Sequence, residues 1–95
     1  MSGYYKITCF CKQCNGNNTE TASGNIATEG ITIAVHKSLY NEYGDGHEIK
    51  INGVGYREIQ DTHRVGKNVI DVYVGDTNGC HCNSNPINGR RYVEF

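Results

Sequence analysis

The sequence predicts an all-β domain, and three features of its 95 residues support this. Twelve glycines and only one proline, together with many asparagines, are typical of short strands joined by tight turns. The apolar residues occur in short, mostly β-branched blocks, and helical periodicity is nearly absent. The length suits one domain with one modest core, so we treat residues 1–95 as a single domain.

Six strands can be assigned in chain order from the apolar blocks. They are predicted at residues 4–11, 31–35, 48–51, 55–60, 69–74 and 90–95. A polar loop rich in Asn and Gly follows the first strand, and residues 37–43 have the spacing of one helical turn. The dipeptide Asn52-Gly53 between the third and fourth strands is a strong hairpin signal. Because closure removes exposed strand edges, this pattern favours a six-stranded β-barrel with at most one short helical turn.

Composition argues against several classes of partner. The net charge is −1 and the nine Lys and Arg residues are scattered, so we expect no nucleic-acid partner and no attraction to an anionic membrane. The apolar runs are too short for a membrane span, and the N-terminus lacks the apolar stretch of a signal peptide. We therefore expect a domain of a larger chain, or a product that leaves the cell by another route than standard secretion.

Two aspartates carry the strongest functional signal. Asp61 opens the polar run after the fourth strand, and Asp71 lies inside the β-branched fifth strand. A carboxylate is costly to bury as an anion, so a barrel strand usually carries one where it lines a groove. Neighbouring carboxylates oppose each other's ionisation, and a protonated carboxyl beside an ionised one can cleave a glycosidic bond. Two solvated aspartates, at a turn and on an edge strand, are the alternative interpretation.

Seven short motifs follow one another along the chain. They are Cys11-Lys12-Gln13-Cys14-Asn15-Gly16, Thr21-Ala22-Ser23-Gly24, Ile33-Ala34-Val35, Ile49-Lys50-Ile51-Asn52-Gly53-Val54-Gly55, Asp61-Thr62, Ile70-Asp71-Val72-Tyr73 and Gly89-Arg90-Arg91-Tyr92-Val93. In this order they resemble the 3D domain of bacterial cell-wall proteins, which is named for three aspartates. The resemblance covers nearly the whole chain. It implies a double-psi β-barrel, shared with the MltA-type lytic transglycosylases, the stationary-phase-survival (Sps) proteins and, more distantly, the expansins.

The resemblance implies a peptidoglycan lytic transglycosylase that needs no cofactor for catalysis. Asp71 matches the catalytic acid of the MltA-type enzymes and Asp61 its supporting carboxylate, whereas His36 replaces the family's first aspartate. Asp71 would protonate the glycosidic oxygen and then accept a proton from the sugar's C6 hydroxyl, which closes a 1,6-anhydro ring. A neutral His36 would orient the two carboxyls, and a cationic one would keep Asp71 ionised.

The implied partner is the peptidoglycan glycan strand, and the implied location is extracellular or in the cell wall. A phage tail or another virion-associated assembly would account for the missing signal peptide. Four further residues are candidates for substrate binding. Thr21 and Ser23 would offer hydroxyl groups to sugar, and Arg64 and Lys67 would contact acidic or carbonyl groups; a tight turn at Gly24 and a solvated basic loop are the respective alternatives.

Three other functions stay open from the sequence. The first is a glycan-binding barrel without catalytic activity, in which the exchange at His36 has removed cleavage. The second is a metal-dependent hydrolase that uses His36, Asp61 and Asp71, with His63 as a further ligand. The third is a structural barrel in a larger assembly, which would need neither aspartate.

Five cysteines are many for this length. Cys9 and Cys11 alternate along the first strand, so both thiols face one side. One interpretation is a structural zinc ion, held by Cys11, Cys14, Cys80 and Cys82. The other is one or two disulfides between the first loop and the turn before the last strand, as suits a protein outside the cell.

Overall fold

The computed structural model describes residues 2–14, 19–22, 24–79 and 81–95. Within these residues it contains six strands, one α-helix and one 3-10 turn. The strands are β1 (Gly3–Phe10), β2 (Thr32–His36), β3 (Glu48–Ile51), β4 (Gly55–His63), β5 (Val69–Tyr73) and β6 (Gly89–Glu94). The helix α1 (Lys37–Tyr43) follows β2 directly, and the 3-10 turn (Cys82–Ser84) lies between β5 and β6.

The strands close into one barrel in the order β1-β5-β2-β4-β3-β6, and β6 pairs back onto β1. Two of the pairs, β1–β5 and β2–β4, are parallel, and the other four are antiparallel. The predicted six-stranded all-β barrel is therefore confirmed. The predicted helical segment is also present, and its seven residues make nearly two turns.

The barrel interior is filled by β-branched and aromatic side chains at alternating strand positions. Along β1, Tyr5, Ile7 and Cys9 are buried, whereas the residues between them face outward. Ile33, Ile59 and other side chains of the same cluster are completely buried. Strand β2 is buried over Thr32–Val35, and it lies between β4 and β5 in the barrel.

The hairpin predicted at Asn52-Gly53 joins β3 to β4, and Ile51 pairs with Gly55 across it. Gly53 has a φ of 79°, a conformation that side chains other than glycine rarely adopt. A Cβ atom at Gly53 would also overlap the guanidinium group of Arg91, which donates a hydrogen bond to the Asn52 carbonyl oxygen. The backbone conformation thus favours glycine here, and a side chain at this position would also displace the end of Arg91.

The observed strand ends differ from the predicted ones by at most three residues, and β3 has the predicted bounds. The largest difference is in β4, which was expected to end at residue 60 and continues to His63. The extension exists because β2 pairs with β4 as far as His36 opposite His63. Among the described residues, no helix has the length and apolar character needed to cross a membrane.

Truncation of a barrel core residue tests the packing. Ile59→Ala in β4 removes a side chain with no solvent exposure, so we expect it to lower the free energy of unfolding by about 2–5 kcal/mol. Val65→Ala is the matched control, because Val65 is 80% exposed and its loss should change stability by less than about 0.5 kcal/mol. Urea unfolding measures both. Equal effects of the two substitutions would contradict the barrel core described above.

Candidate functional site

Asp61 and Asp71 stand on the same outer face of the barrel, one on each side of Ala34. Ala34 in β2 pairs with Asp61 in β4 and with Asp71 in β5. Side chains that face each other across a ladder project from the same face of the sheet. Two strand spacings separate the Cα atoms of the two aspartates by about 10 Å. Ala34 lies between them and is itself buried, with 4% exposure.

A β-bulge brings Asp61 to this position. Ile33 pairs with Ile59, but Ala34 pairs with Asp61, so Gln60 is the extra residue in β4. Without the bulge, strict alternation would place Gln60 opposite Ala34 and turn Asp61 toward the barrel interior. The amide oxygen of Gln60 instead accepts a hydrogen bond of 2.7 Å from the Thr32 hydroxyl group. The bulge therefore places a second carboxylate on the outer face.

The two aspartates line one cavity of about 280 Å³. Its other lining residues come from the end of β1, the following loop, β2 and β4: Phe10, Cys14, Ala34, Thr62 and His63. Phe10 gives the cavity an apolar wall, and its ring packs against Tyr73 with 5.1 Å between centroids. The cavity thus combines two acidic groups with an aromatic side chain.

Each carboxylate is held through one oxygen atom. The Thr8 hydroxyl group donates a hydrogen bond of 2.6 Å to Oδ1 of Asp71. Oδ1 of Asp61 accepts two backbone N–H groups, those of Ala22 at 2.9 Å and Thr62 at 2.8 Å. Within the described residues, the Oδ2 atom of each aspartate accepts no hydrogen bond. The anchored oxygen sets the orientation of each group, and the other is available to a ligand.

The Thr-Ala-x-Gly segment acts on the site through its backbone. Its turn is closed by hydrogen bonds between Thr21 and Gly24 and between Thr21 and Asn25, which bring the Ala22 N–H group to Asp61. The Thr21 side chain, a candidate for sugar binding, is buried at 5% exposure and is not part of the cavity lining. Ser23, the other hydroxyl candidate, lies outside the described residues.

His36 caps helix α1 rather than lining the cavity. Its Nδ1 atom accepts a hydrogen bond of 3.2 Å from the backbone N–H of Ser38 and lies 2.9 Å from the Ser38 hydroxyl oxygen. Its ring centroid is 6.2 Å from that of His63, the residue paired with it in β4. The structure therefore places His36 beside the cavity, with a role in helix capping.

His63 lines the cavity, and the backbone occupies both of its ring nitrogens. Nε2 lies 2.6 Å from the Val69 carbonyl oxygen and donates to it, while Nδ1 accepts from the Val65 N–H at 3.2 Å. This pattern requires the neutral tautomer with the proton on Nε2.

Among the described residues, the histidines and aspartates of this region do not bring three ligand atoms within 4.8 Å of one another. Arg64 and Lys67 are exposed on the β4–β5 loop, outside the cavity lining.

A second cluster, formed by sulfur atoms, borders the cavity. The Sγ atoms of Cys11, Cys14 and Cys82 all lie within 4.8 Å of one another, close enough for three ligands of one metal ion. Cys11 and Cys14 are 3.0 Å apart, and Cys14 and Cys82 are 3.5 Å apart. Cys9, Cys11 and Cys82 carry free thiols, whereas Cys14 is disulfide-bonded. Cys80, the fourth predicted ligand, lies outside the described residues.

Burial and hydrogen bonding separate the three free thiols chemically. Burial, followed by contacts with Cys9 and Cys11, raises the pKa of Cys82 to about 12. Burial likewise raises the pKa of Cys9, whose thiol donates a hydrogen bond of 3.1 Å to the Cys82 carbonyl oxygen. Burial also acts on Cys11, but hydrogen bonds from Thr77 and from the Cys14 backbone N–H outweigh it and lower its pKa. Cys11 is thus the thiol best prepared to bind a cation.

Compared with known proteins, the chain matches no family model, no curated protein and no solved structure.

The capping role of His36 can be tested by substitution. His36→Ala removes the acceptor for the Ser38 N–H, so we expect a loss of about 1 kcal/mol in the free energy of unfolding. His36→Asn supplies another acceptor at the same position and should retain most of the stability. Urea denaturation of both variants measures the effect. An unchanged stability of His36→Ala would contradict the capping role.

Proposed function

We propose that this barrel cleaves the glycan strand of peptidoglycan as a lytic transglycosylase, with Asp71 as its single acid and base. One observation supports this above the others. Asp61 and Asp71 line one cavity on either side of Ala34, and each is oriented by one anchored oxygen, while its other oxygen accepts no hydrogen bond from the described residues. A polymer of hydroxyl-rich sugar rings fits a cavity with carboxylates and one aromatic wall.

The proposed reaction needs one acid and no water. Asp71, in its protonated form, transfers a proton to the glycosidic oxygen as the bond from the anomeric carbon to that oxygen breaks. Positive charge develops at the anomeric carbon and ring oxygen. The C6 hydroxyl of the same sugar then attacks the anomeric carbon, and its proton goes to the Asp71 carboxylate. The products are a 1,6-anhydro sugar end and a free hydroxyl end, and Asp71 is protonated again.

Asp61 and Thr8 act on the reaction from either side of Asp71. The Asp61 carboxylate favours the positive charge that develops on the sugar, because it lines the same cavity as Asp71 and its negative charge attracts that centre. Thr8 is a positioning residue, since its hydroxyl group fixes the Asp71 carboxyl through Oδ1. The same site without a productive alignment of the glycosidic bond would bind glycan without cutting it, and that is the alternative function.

Product analysis tests the proposed reaction. Purified protein should release fragments with 1,6-anhydro-muramyl ends from peptidoglycan, as detected by mass spectrometry. Asp71→Asn should lower the rate by about 10²–10⁴-fold, because the amide has no proton of suitable acidity to give. Asp45→Asn, an exposed carboxylate between α1 and β3, is the matched control and should leave the rate unchanged.

Two outcomes would contradict the proposal. Equal activity of Asp71→Asn and the unaltered protein would exclude Asp71 as the acid. A loss of activity counts as support only if Asp71→Asn and the unaltered protein have the same melting temperature. Products with an ordinary reducing end would mean that water attacks the sugar, and the reaction would then be hydrolysis. Binding to peptidoglycan without any product would favour the glycan-binding module.

We also propose that the cysteine cluster holds a structural zinc ion, with Cys11, Cys14 and Cys82 as ligands and Cys80 as the predicted fourth. Tetrahedral thiolate ligands at about 2.3 Å from zinc are ~3.8 Å apart from one another. The sulfur distances of 3.0 and 3.5 Å require only a small expansion to reach this value. A bound zinc ion would link the loop after β1 to the 3-10 turn and so support one wall of the cavity. The competing state is the disulfide that Cys14 forms in the structure, and zinc binding requires that this bond is first reduced to thiols.

Mass spectrometry separates the two states. A zinc-sized increment in the native spectrum that disappears on denaturation supports the metal, and a loss of two hydrogen atoms per bridge supports a disulfide. Cys82→Ser should abolish zinc binding, because it removes one of the three converging sulfur atoms. Cys9→Ser is the matched control, since Cys9 is buried in the same region but its sulfur is not part of that set. Zinc retained by Cys82→Ser would contradict the ligand assignment.

A further inference from the structure

The outer face of β1 continues from the candidate cavity to a second cavity. Alternation along β1 places Tyr4, Lys6, Thr8 and Phe10 on the outside, while the residues between them are buried. Phe10 lines the cavity with the two aspartates, and Thr8 donates its hydrogen bond to Asp71. Lys6 is the next outward residue, and its Cα lies about 7 Å from that of Thr8 along the strand. A chain that occupies the first cavity and follows this strand therefore reaches Lys6.

Lys6 faces another cation on the neighbouring strand. The antiparallel register of β1 and β6 sets Lys6 directly opposite Arg90, and both side chains are exposed. Within the described residues, no carboxylate pairs with either of them. Like charges directly opposite each other across a ladder are destabilising. An anion bound between the two side chains would turn this repulsion into attraction, because both cations would then share one counter-charge.

The cations border a cavity of about 390 Å³, lined by Tyr4, Tyr5, Lys6, Asn68 and Arg90. The Arg90 guanidinium carbon lies 5.1 Å from the centre of the Tyr4 ring, which holds this side chain over the cavity. Tyr4 is 61% exposed, and the Tyr92 ring meets it edge to face at 5.3 Å. The guanidinium group, an ammonium group and a side-chain amide thus surround one open space.

We propose that Lys6 and Arg90 form a subsite for a carboxylate carried by the same strand whose glycosidic bond meets Asp71. This inference rests on the proposed function and specifies its substrate as an acidic glycan. The carboxylate belongs either to a sugar unit or to a peptide attached to it, and the two sources share one chemistry. Its place along β1, next to the site of cleavage, makes this subsite a determinant of which strands are cut.

A nucleic acid is another polymer that carries anionic groups. The observations favour the glycan for two reasons. Base stacking needs an open aromatic face, whereas Tyr4 carries Arg90 over its ring and Tyr92 against it. A nucleic-acid footprint also needs several aligned phosphate contacts, and the chain as a whole has a net charge of −1.

The test measures binding in the absence of cleavage. Asp71→Asn protein is titrated with a soluble peptidoglycan fragment that carries free carboxylates, with the same fragment after amidation of its carboxyl groups, and with a tetramer of N-acetylglucosamine. We expect the free-carboxylate fragment to bind at least about tenfold more tightly than the other two ligands. Addition of Lys6→Gln and Arg90→Gln should remove this preference while leaving the weaker affinity for the uncharged ligands.

Lys50→Gln is the matched control, because Lys50 is an exposed cation on β3 that does not line this cavity. It should leave the preference for the free-carboxylate fragment unchanged. If Lys50→Gln lost this preference to the same extent, the effect would come from the overall charge of the protein, and the subsite would be overturned. Unchanged binding in the Lys6 and Arg90 variant would also overturn it. Tighter binding of a single-stranded oligonucleotide than of the acidic fragment would overturn the choice of occupant.

Chemical shifts locate the bound fragment independently of the Lys6 and Arg90 variants. Amide resonances of Lys6, Asn68 and Arg90 in the Asp71→Asn protein should shift on addition of the acidic fragment, and shifts confined to other strands would overturn the subsite even if a variant failed to fold. The two proposals fail separately. If the unaltered protein did not cleave peptidoglycan but still preferred the free-carboxylate fragment, only the transglycosylase reaction would be contradicted.

Discussion

The position of β2 between β4 and β5 is the constraint on which the candidate site depends. Because β2 pairs in parallel with one neighbour and antiparallel with the other, residues far apart in sequence come into one row across three strands. Its buried residues contribute to the barrel core, so the strand cannot shift its register without exposing them. Ala34 belongs both to this packed strand and to the cavity lining, and a larger side chain there would fill the space between Asp61 and Asp71.

Local irregularity and regular structure contribute differently to the site. Regular alternation is sufficient to turn Asp71 and Thr8 outward on adjacent strands, where the hydroxyl group reaches the carboxyl. Asp61 needs the bulge at Gln60, and its carboxylate is then secured by the N–H groups of Ala22 and Thr62. A bulge costs ladder hydrogen bonds, and such irregularities are common next to functional sites, where they re-aim a side chain.

The cysteine cluster and the basic subsite extend the cavity in opposite directions along β1. Cys14, just beyond the end of the strand, belongs both to the cavity lining and to the converging sulfur atoms, so the chemical state of the cluster is linked to the shape of the cavity wall. Toward the start of the strand, Lys6 and Arg90 concentrate positive charge on a protein that is nearly neutral overall. One outward strand face thus connects a cysteine-lined end, an acidic centre and a basic end.

The sequence by itself determined the all-β class, the six apolar strands, the hairpin at Asn52-Gly53 and the placement of Asp71 inside a strand, because alternation, turn chemistry and a charge inside an apolar strand are local properties. Tertiary structure decided which strands pair, and with that the bulge, the alanine between the carboxylates and the Lys6–Arg90 pair. It also decided that His36 caps a helix and that the Thr-Ala-x-Gly turn acts through a backbone N–H. These features depend on contacts between segments distant in sequence, whose partners are chosen only when the barrel closes and buries its core.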